Sequence, residues 1–262
     1  MLLKSKKVRF LSRLVLFLTL SIVFLVMPVF FPSAKKSECF IAHGGGMICG
    51  KTYTNSYEAV INSLKQGYKY IELDMMLTVD SQLVCMHSLE DFRRITSMPD
   101  SILLTESNFK KQHIYGRFVT LTAKDVVALQ KRYHFTIVTD KTSDPRIIDR
   151  YFSRIRKNVM VEAFSIDDYI SLKNLGYTPM LSQSFKWESL LQIGWKCIRH
   201  HVDWISTTLY VPEDVGKIRI LKRLLGINFA VYSTNPGLFR KYIGKEIDLI
   251  YVDNKEIFNI EE

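Results

Sequence analysis

Four cysteines, Cys39, Cys49, Cys85 and Cys197, are all that this 262-residue sequence carries, and no two form a CxxC pair. A zinc site built on paired cysteines is thereby set aside. No lipobox precedes Cys39, so lipid attachment at that thiol is not expected. No long low-complexity segment and no short internal repeat interrupts the chain, so nothing marks a repeat array or an extended linker. Lysine and arginine do not cluster with aromatics and no nucleic-acid module is recognisable, which leaves nucleic acid out of the expected partners. The cysteines themselves leave two readings open, disulfides in an exported protein or buried free thiols.

What is present begins at the N-terminus. Lys4, Lys6, Lys7, Arg9 and Arg13 precede an apolar run over 14–31, broken only by Thr19, Ser21 and Pro28. That length just spans a hydrocarbon core, and a basic flank holds its own side in the cytoplasm. The pattern predicts a transmembrane signal anchor with residues 1–13 cytoplasmic and a domain over 39–262 on the extracytoplasmic side. A cleaved signal peptide is the competing reading, but Phe31-Pro32-Ser33-Ala34 is a poor cleavage site. The formal net charge is +10, and the anchor's flank supplies five of those charges. The modest remaining excess suits a protein close to anionic lipid or handling a phosphate group.

Beyond the anchor, strand-like and helix-like runs alternate. The expected strands are Cys39–His43, Tyr70–Met75, Leu83–His87, Phe135–Asp140, Val159–Phe164, Pro179–Ser182, Trp204–Thr208, Phe229–Ser233 and Leu249–Asp253. Asn55 with Glu58 reads as a capping box; Thr122 with Asp125 and Ser165 with Asp168 open two further helices, and Pro145 and Pro212 read as helix starts. Strands and helices alternating over this length predict a parallel α/β fold, with a TIM (β/α)8 barrel the natural size match and a doubly wound sheet the runner-up. Only Thr78 to Gln82 separates the second and third strands, too short for a helical crossover. Residues 70–87 are therefore expected to form one barrel strand and a returning excursion, with 88–121 an insertion over the mouth.

The residues suited to chemistry fall where strands end. Glu72 and Asp74 stand at i and i+2, so a strand puts both carboxylates on one face, opposite Ile71 and Leu73. Two carboxylates so placed repel unless a cation lies between them, and a divalent ion with oxygen ligands answers that need. His43 and His87 each follow an apolar run. Either alone suggests a buried structural histidine; together, with the carboxylates between them, they suggest an acid and a base, because an unperturbed imidazole titrates near about 6.5. Gly44 and Gly45 follow His43, where backbone N–H groups without a Cβ in the way can approach a phosphate. Asp140 is placed to complete a metal shell and Lys141 to neutralise phosphate oxygens, with a surface salt bridge as the alternative. These types together suit metal-assisted cleavage of a phosphodiester. His113, His134, His200 and His201 read as surface residues, and the tyrosines and tryptophans as mostly core.

This constellation resembles the glycerophosphodiester phosphodiesterase family, a group of TIM-barrel enzymes, over roughly residues 39–254. The family's Ala-His-Arg-Gly is matched by Ala42-His43-Gly44-Gly45, its Glu-Asn-Thr by Thr54-Asn55-Ser56, and its Glu-x-Asp by Glu72 and Asp74. Thr78 and Asp80 match Thr-x-Asp, His87-Ser88 matches His-Asp, and Thr139-Asp140-Lys141 meets the Glu-x-Lys strand. Tyr232-Ser233-Thr234-Asn235 and Val252-Asp253 echo the family's C-terminal strand ends. The resemblance implies His43 and His87 as the acid/base pair, Glu72 and Asp74 as ligands for Mg or Ca, and Lys141 on the phosphate. Three departures stand out: Gly44 for the arginine, Thr54 for the glutamate, and a third metal carboxylate moved from position 139 to Asp140. A shift of one residue flips a strand side chain, so Asp140 serves only if the strand ends or bulges there. The expected substrate is a phosphodiester small molecule or one derived from lipid or glycan. The alternatives are a phospholipase of the same barrel type and a catalytically silent barrel that binds a phosphorylated envelope glycan or lipid.

Overall fold

The computed structural model describes residues 34–35 and 38–258. The expected anchor over 14–31 lies outside them. Among the described residues, no helix is long and apolar enough to cross a membrane.

Among the described residues eleven strands form, in chain order: β1 (Phe40–Ala42), β2 (Tyr70–Leu77), β3 (Leu83–Cys85), β4 (His113–Ile114), β5 (Phe118–Val119), β6 (Thr136–Asp140), β7 (Val159–Ala163), β8 (Thr178–Ser182), β9 (Trp204–Thr208), β10 (Asn228–Tyr232) and β11 (Leu249–Val252). Eight of them, β1, β2 and β6 to β11, pair in parallel with their neighbours, and β1 pairs with both β2 and β11. The sheet therefore closes into an eight-stranded parallel barrel, the TIM-type architecture, and the doubly wound sheet is excluded. The excursion is a hairpin, with β3 running back antiparallel to β2 through the Met75–Cys85 and Leu77–Leu83 pairs.

Alternation along the strands sorts two cores. Ile41, Val138, Met160, Met180, Ala230, Leu249 and Tyr251 point into the barrel and pack together. Residues of opposite parity, such as Ile71, Ile137 and Val161, pack outward against helix residues such as Val60, Val126 and Ile148. The helices start where the sequence supplies a side-chain acceptor for their first free N–H groups. Thr122 and Asp125 form a full capping box on the Ala123–Tyr133 helix, as do Ser189 and Gln192 on the Leu190–His200 helix. Ser165 caps Ile166–Asn174, and Pro145 opens the Pro145–Phe152 helix.

Two expectations need correction. Asn55 does not cap the first helix; Ser56 does, accepting from the Ala59 N–H, while Asn55 turns toward β2. The insertion over 88–121 also has more structure than its sequence rhythm suggests. It folds as the helices Leu89–Thr96 and Glu106–Lys110 and the β4–β5 hairpin, around its own cluster of Val84, Met86, Phe92, Met98, Leu104 and Phe109. All four cysteines are free thiols, three of them buried.

Candidate active site

The C-terminal ends of the barrel strands gather the carboxylates. Glu72 and Asp74 are both buried and face inward from β2. Across the β2–β6 ladder Leu73 pairs with Thr139 and Asp74 with Asp140. Paired residues of neighbouring strands share a face, so Asp140 joins Asp74 while Thr139 turns to the buried side. The strand ends at Asp140 without a bulge, which is the condition its sequence position required. One oxygen from each of Glu72, Asp74 and Asp140 lies within 4.8 Å of the others.

Lys141 then takes a left-handed backbone, with φ at 70°, unusual for a residue bearing a Cβ. That turn brings its ammonium to 3.7 Å from Asp74 Oδ1 and 3.4 Å from Asp140 Oδ2. Desolvation works to lower the Lys141 pKa, but the Asp140 and Asp74 charges outweigh it and the pKa rises, so the group stays an ammonium. The remaining bonds hold the ligand set in place. Gly44 N–H donates to Glu72 Oε2 at 2.6 Å, and Asn55 both donates to Asp74 Oδ2 and accepts from the Asp74 N–H. Burial first, and then the Asp74 charge, push the Glu72 carboxyl well above its ordinary value. Its Oε1 is buried with no hydrogen-bond partner. An orphaned carboxylate oxygen facing two other carboxylates fits a hard divalent cation, whose charge would remove the repulsion and whose coordination would use that oxygen.

The two histidines are held alike. His43 Nδ1 lies 3.1 Å from Asp253 Oδ1, and His87 Nδ1 lies 2.9 Å from Asp91 Oδ2. A carboxylate at Nδ1 fixes the proton there and leaves Nε2 as the nitrogen free to exchange one. Asp91 also binds Arg94 and the Ser88 hydroxyl; Arg94 first, then His87 and Ser88, hold its carboxyl well below the usual range. Tyr53 stands between the imidazoles, its ring edge-on to His43 at 4.4 Å and to His87 at 5.7 Å between centroids. The two histidines, Tyr53, the three carboxylates and Lys141 line one cavity of about 650 Å³, together with Glu162, Ser182, Ser206, Tyr232 and Tyr251.

Residues 49–205, more than half of the chain, match the sequence model of the glycerophosphoryl diester phosphodiesterase family. The chain belongs to that family, and it is a phosphodiesterase. The matched span takes in Glu72, Asp74, His87, Asp140 and Lys141 and begins after His43. Among curated proteins, none matches in sequence. Solved structures share the fold. The glycerophosphodiester phosphodiesterase of Thermotoga maritima is 20% identical with a TM-score of 0.65, over 85% of this chain and 97% of its own. The Agrobacterium tumefaciens enzyme of that name is 17% identical with a TM-score of 0.64, over 85% of this chain and 100% of its own. An Oleispira antarctica phosphodiesterase, solved in complex with the product sn-glycerol-3-phosphate, is 17% identical with a TM-score of 0.64, over 84% and 94%.

In this phosphodiesterase, six of the sequence-derived site residues come together: His43, Glu72, Asp74, His87, Asp140 and Lys141. Gly44 and Gly45 do not join them on the cavity wall. The Gly44 N–H goes to Glu72 rather than to a phosphate, and Gly45 is buried against Ala59 and Val60. Six residues were missed. Tyr53, Tyr232 and Tyr251 read as core yet line the phosphodiesterase cavity, and Asp91 and Asp253 carried no signal linking them to histidines. Glu162 was missed as well, although its signal was there, a carboxylate inside the apolar run of β7, as Glu72 is in β2. Burial first, and then the Asp140 charge, push it up to about 7.

Gly44 is the residue its position demands. Its φ is +55°, and a Cβ there would sit 2.7 Å from the Tyr53 Cα. Gly44→Ala should cost about 1–3 kcal/mol of stability. Thermal unfolding measures the cost, and an unchanged midpoint would contradict the packing.

Proposed function

We propose that the phosphodiesterase hydrolyses a glycerophosphodiester-like substrate, with His43 and His87 as its acid/base pair and a divalent cation, Mg or Ca, at Glu72, Asp74 and Asp140. The observation carrying this reading is that both imidazoles, each held at Nδ1 by a carboxylate, line the cavity that holds the three-carboxylate cluster. When bound, the cation supplies positive charge to the phosphate oxygens. Lys141 adds a second positive charge on the same side. One histidine accepts a proton through Nε2 from the attacking hydroxyl, either water or an adjacent hydroxyl of the substrate. The other gives a proton to the alcohol oxygen as its bond to phosphorus breaks. Glycerol 3-phosphate in the Oleispira relative supports glycerol as one side of the ester here. The test is release of glycerol 3-phosphate from a glycerophosphodiester by the purified full chain. It should require added divalent ion and stop in chelator; full turnover in chelator would remove the metal from the proposal.

The location of the phosphodiesterase is part of the same proposal. Residues 14–31 anchor the chain, with 1–13 in the cytoplasm and the barrel on the other side. The mature protein should keep its N-terminus and resist carbonate extraction from membranes. N-terminal sequencing that begins beyond Ala34 would show a removed signal instead.

A further inference from the structure

The Leu190–His200 helix covers the barrel with one face only. Ile193 and Cys197 are buried against the core. On the outer face Leu191, Trp195 and Ile198 recur at i, i+4 and i+7, and they are 84%, 64% and 55% exposed. Trp187, just before the helix, is 77% exposed and also lines the mouth of the active-site cavity. Single exposed apolar residues are ordinary. A row of four large exposed apolar residues with two tryptophans, beginning at the mouth and following one helix face, is a surface built to be covered.

The charges around the stripe say by what. Neither this helix nor the next, Val215–Leu225, contains an aspartate or glutamate, while the two carry Lys196, Arg199, Lys217, Arg219, Lys222 and Arg223. Lys196, Lys217, Arg219 and Lys222 reach carboxylates at Glu188, Asp214, Glu246 and Asp248. Lys186 and Arg199, both exposed, stand at opposite ends of the stripe, and neither meets a carboxylate among the described residues. Lys186 lies over the Trp187 ring, 4.8 Å from its centroid. Apolar residues flanked by cations that meet no carboxylate, with tryptophan at the boundary, match a membrane interface whose headgroups are anionic. A second copy of the chain offers the wrong complement, because pairing the stripe with itself would set cation against cation.

We infer that the Trp187–Ile198 stripe rests on an anionic lipid surface and brings the Trp187 edge of the cavity mouth to the headgroups. The inference depends neither on the catalytic roles of the histidines nor on the fate of residues 14–31. It implies that the barrel lies on its side, so that a lipid-derived phosphodiester reaches the cavity past Trp187.

The test uses the full chain reconstituted in vesicles of phosphatidylcholine with phosphatidylglycerol, with bromine on the acyl chains. The signal from Trp195 is the difference between wild type and Trp195→Phe. It should shift to the blue and be quenched roughly twofold by the brominated lipid. The double variant Leu191→Glu/Ile198→Glu, altered only at exposed positions, should lose that quenching. Vesicles of phosphatidylcholine alone should quench less. Three outcomes would overturn the proposal: no quenching of Trp195 in anionic vesicles, full quenching in the double variant, or a dimer in detergent that shields Trp195 and is broken by the double variant. The last would make the stripe a contact between copies.

Discussion

His87→Ala should lower turnover on the order of 10²-fold or more, the usual scale for loss of a general acid or base. The same variant should bind a non-hydrolysable phosphodiester analogue nearly as well as wild type. The carboxylate cluster lies on β2 and β6 and Lys141 directly follows β6, whereas His87 sits beyond β3, ahead of the insertion. His87 is also half-exposed, so truncation leaves no buried void to unfold the barrel. The loss should therefore fall on kcat with KM little moved. Wild-type rate against pH should be bell-shaped, and His87→Ala should keep only the limb that belongs to the other partner. Asp91→Asn separates orientation from chemistry, since it keeps the shape but removes the carboxylate that fixes the Nδ1 proton. Its turnover should lie between wild type and His87→Ala. A folded, metal-binding His87→Ala protein working at the wild-type rate would end the paired mechanism and leave His43 to act alone.

The parts legible in the sequence are those governed by local periodicity. The alternation of Ile71 and Leu73 with Glu72 and Asp74 specified both a strand and the face its carboxylates occupy. The gap between Thr78 and Gln82 was too short for anything but a reversal, and the β2–β3 hairpin is that reversal. Partners set by tertiary register were not legible. Asp253 meets His43 across 210 residues of chain because β11 lies beside β1 in the closed barrel. Asp91 meets His87 because Ser88 caps the following helix and its first turn brings the carboxylate back. Asn55 misled for a physical reason: a short polar residue ahead of an amphipathic run is the usual N-cap. Here φ at 50° turns its amide away from the helix and onto Asp74. Tyr53 shows the limit of spacing arguments, since an aromatic in a loop has no periodicity from which to read its face. Closure of the barrel brings it between the two histidines.

Glu72→Gln should weaken divalent-ion binding on the order of 10²-fold or more, on the scale at which metal sites lose affinity when their ligand set is disturbed. It should also change stability in chelator with the opposite sign. Without a cation, burial and Asp74 hold the Glu72 carboxyl well above its ordinary value. Such a group stabilises the fold while it keeps its proton. That contribution is fully present below the unfolded-state value and is lost as pH rises through the raised one. Glutamine cannot ionise, and its amide N–H₂ can donate to Asp74 or Asp140 while its oxygen still accepts from Gly44. In chelator at alkaline pH the variant should therefore melt above wild type, and the difference should close as the medium is acidified. Adding Mg or Ca should raise the wild-type midpoint and leave that of Glu72→Gln almost unmoved. The two signs together separate a metal ligand from a structural carboxylate. A purely structural Glu72 would give a variant less stable in chelator whose ion affinity, read by calorimetric titration, equals that of wild type.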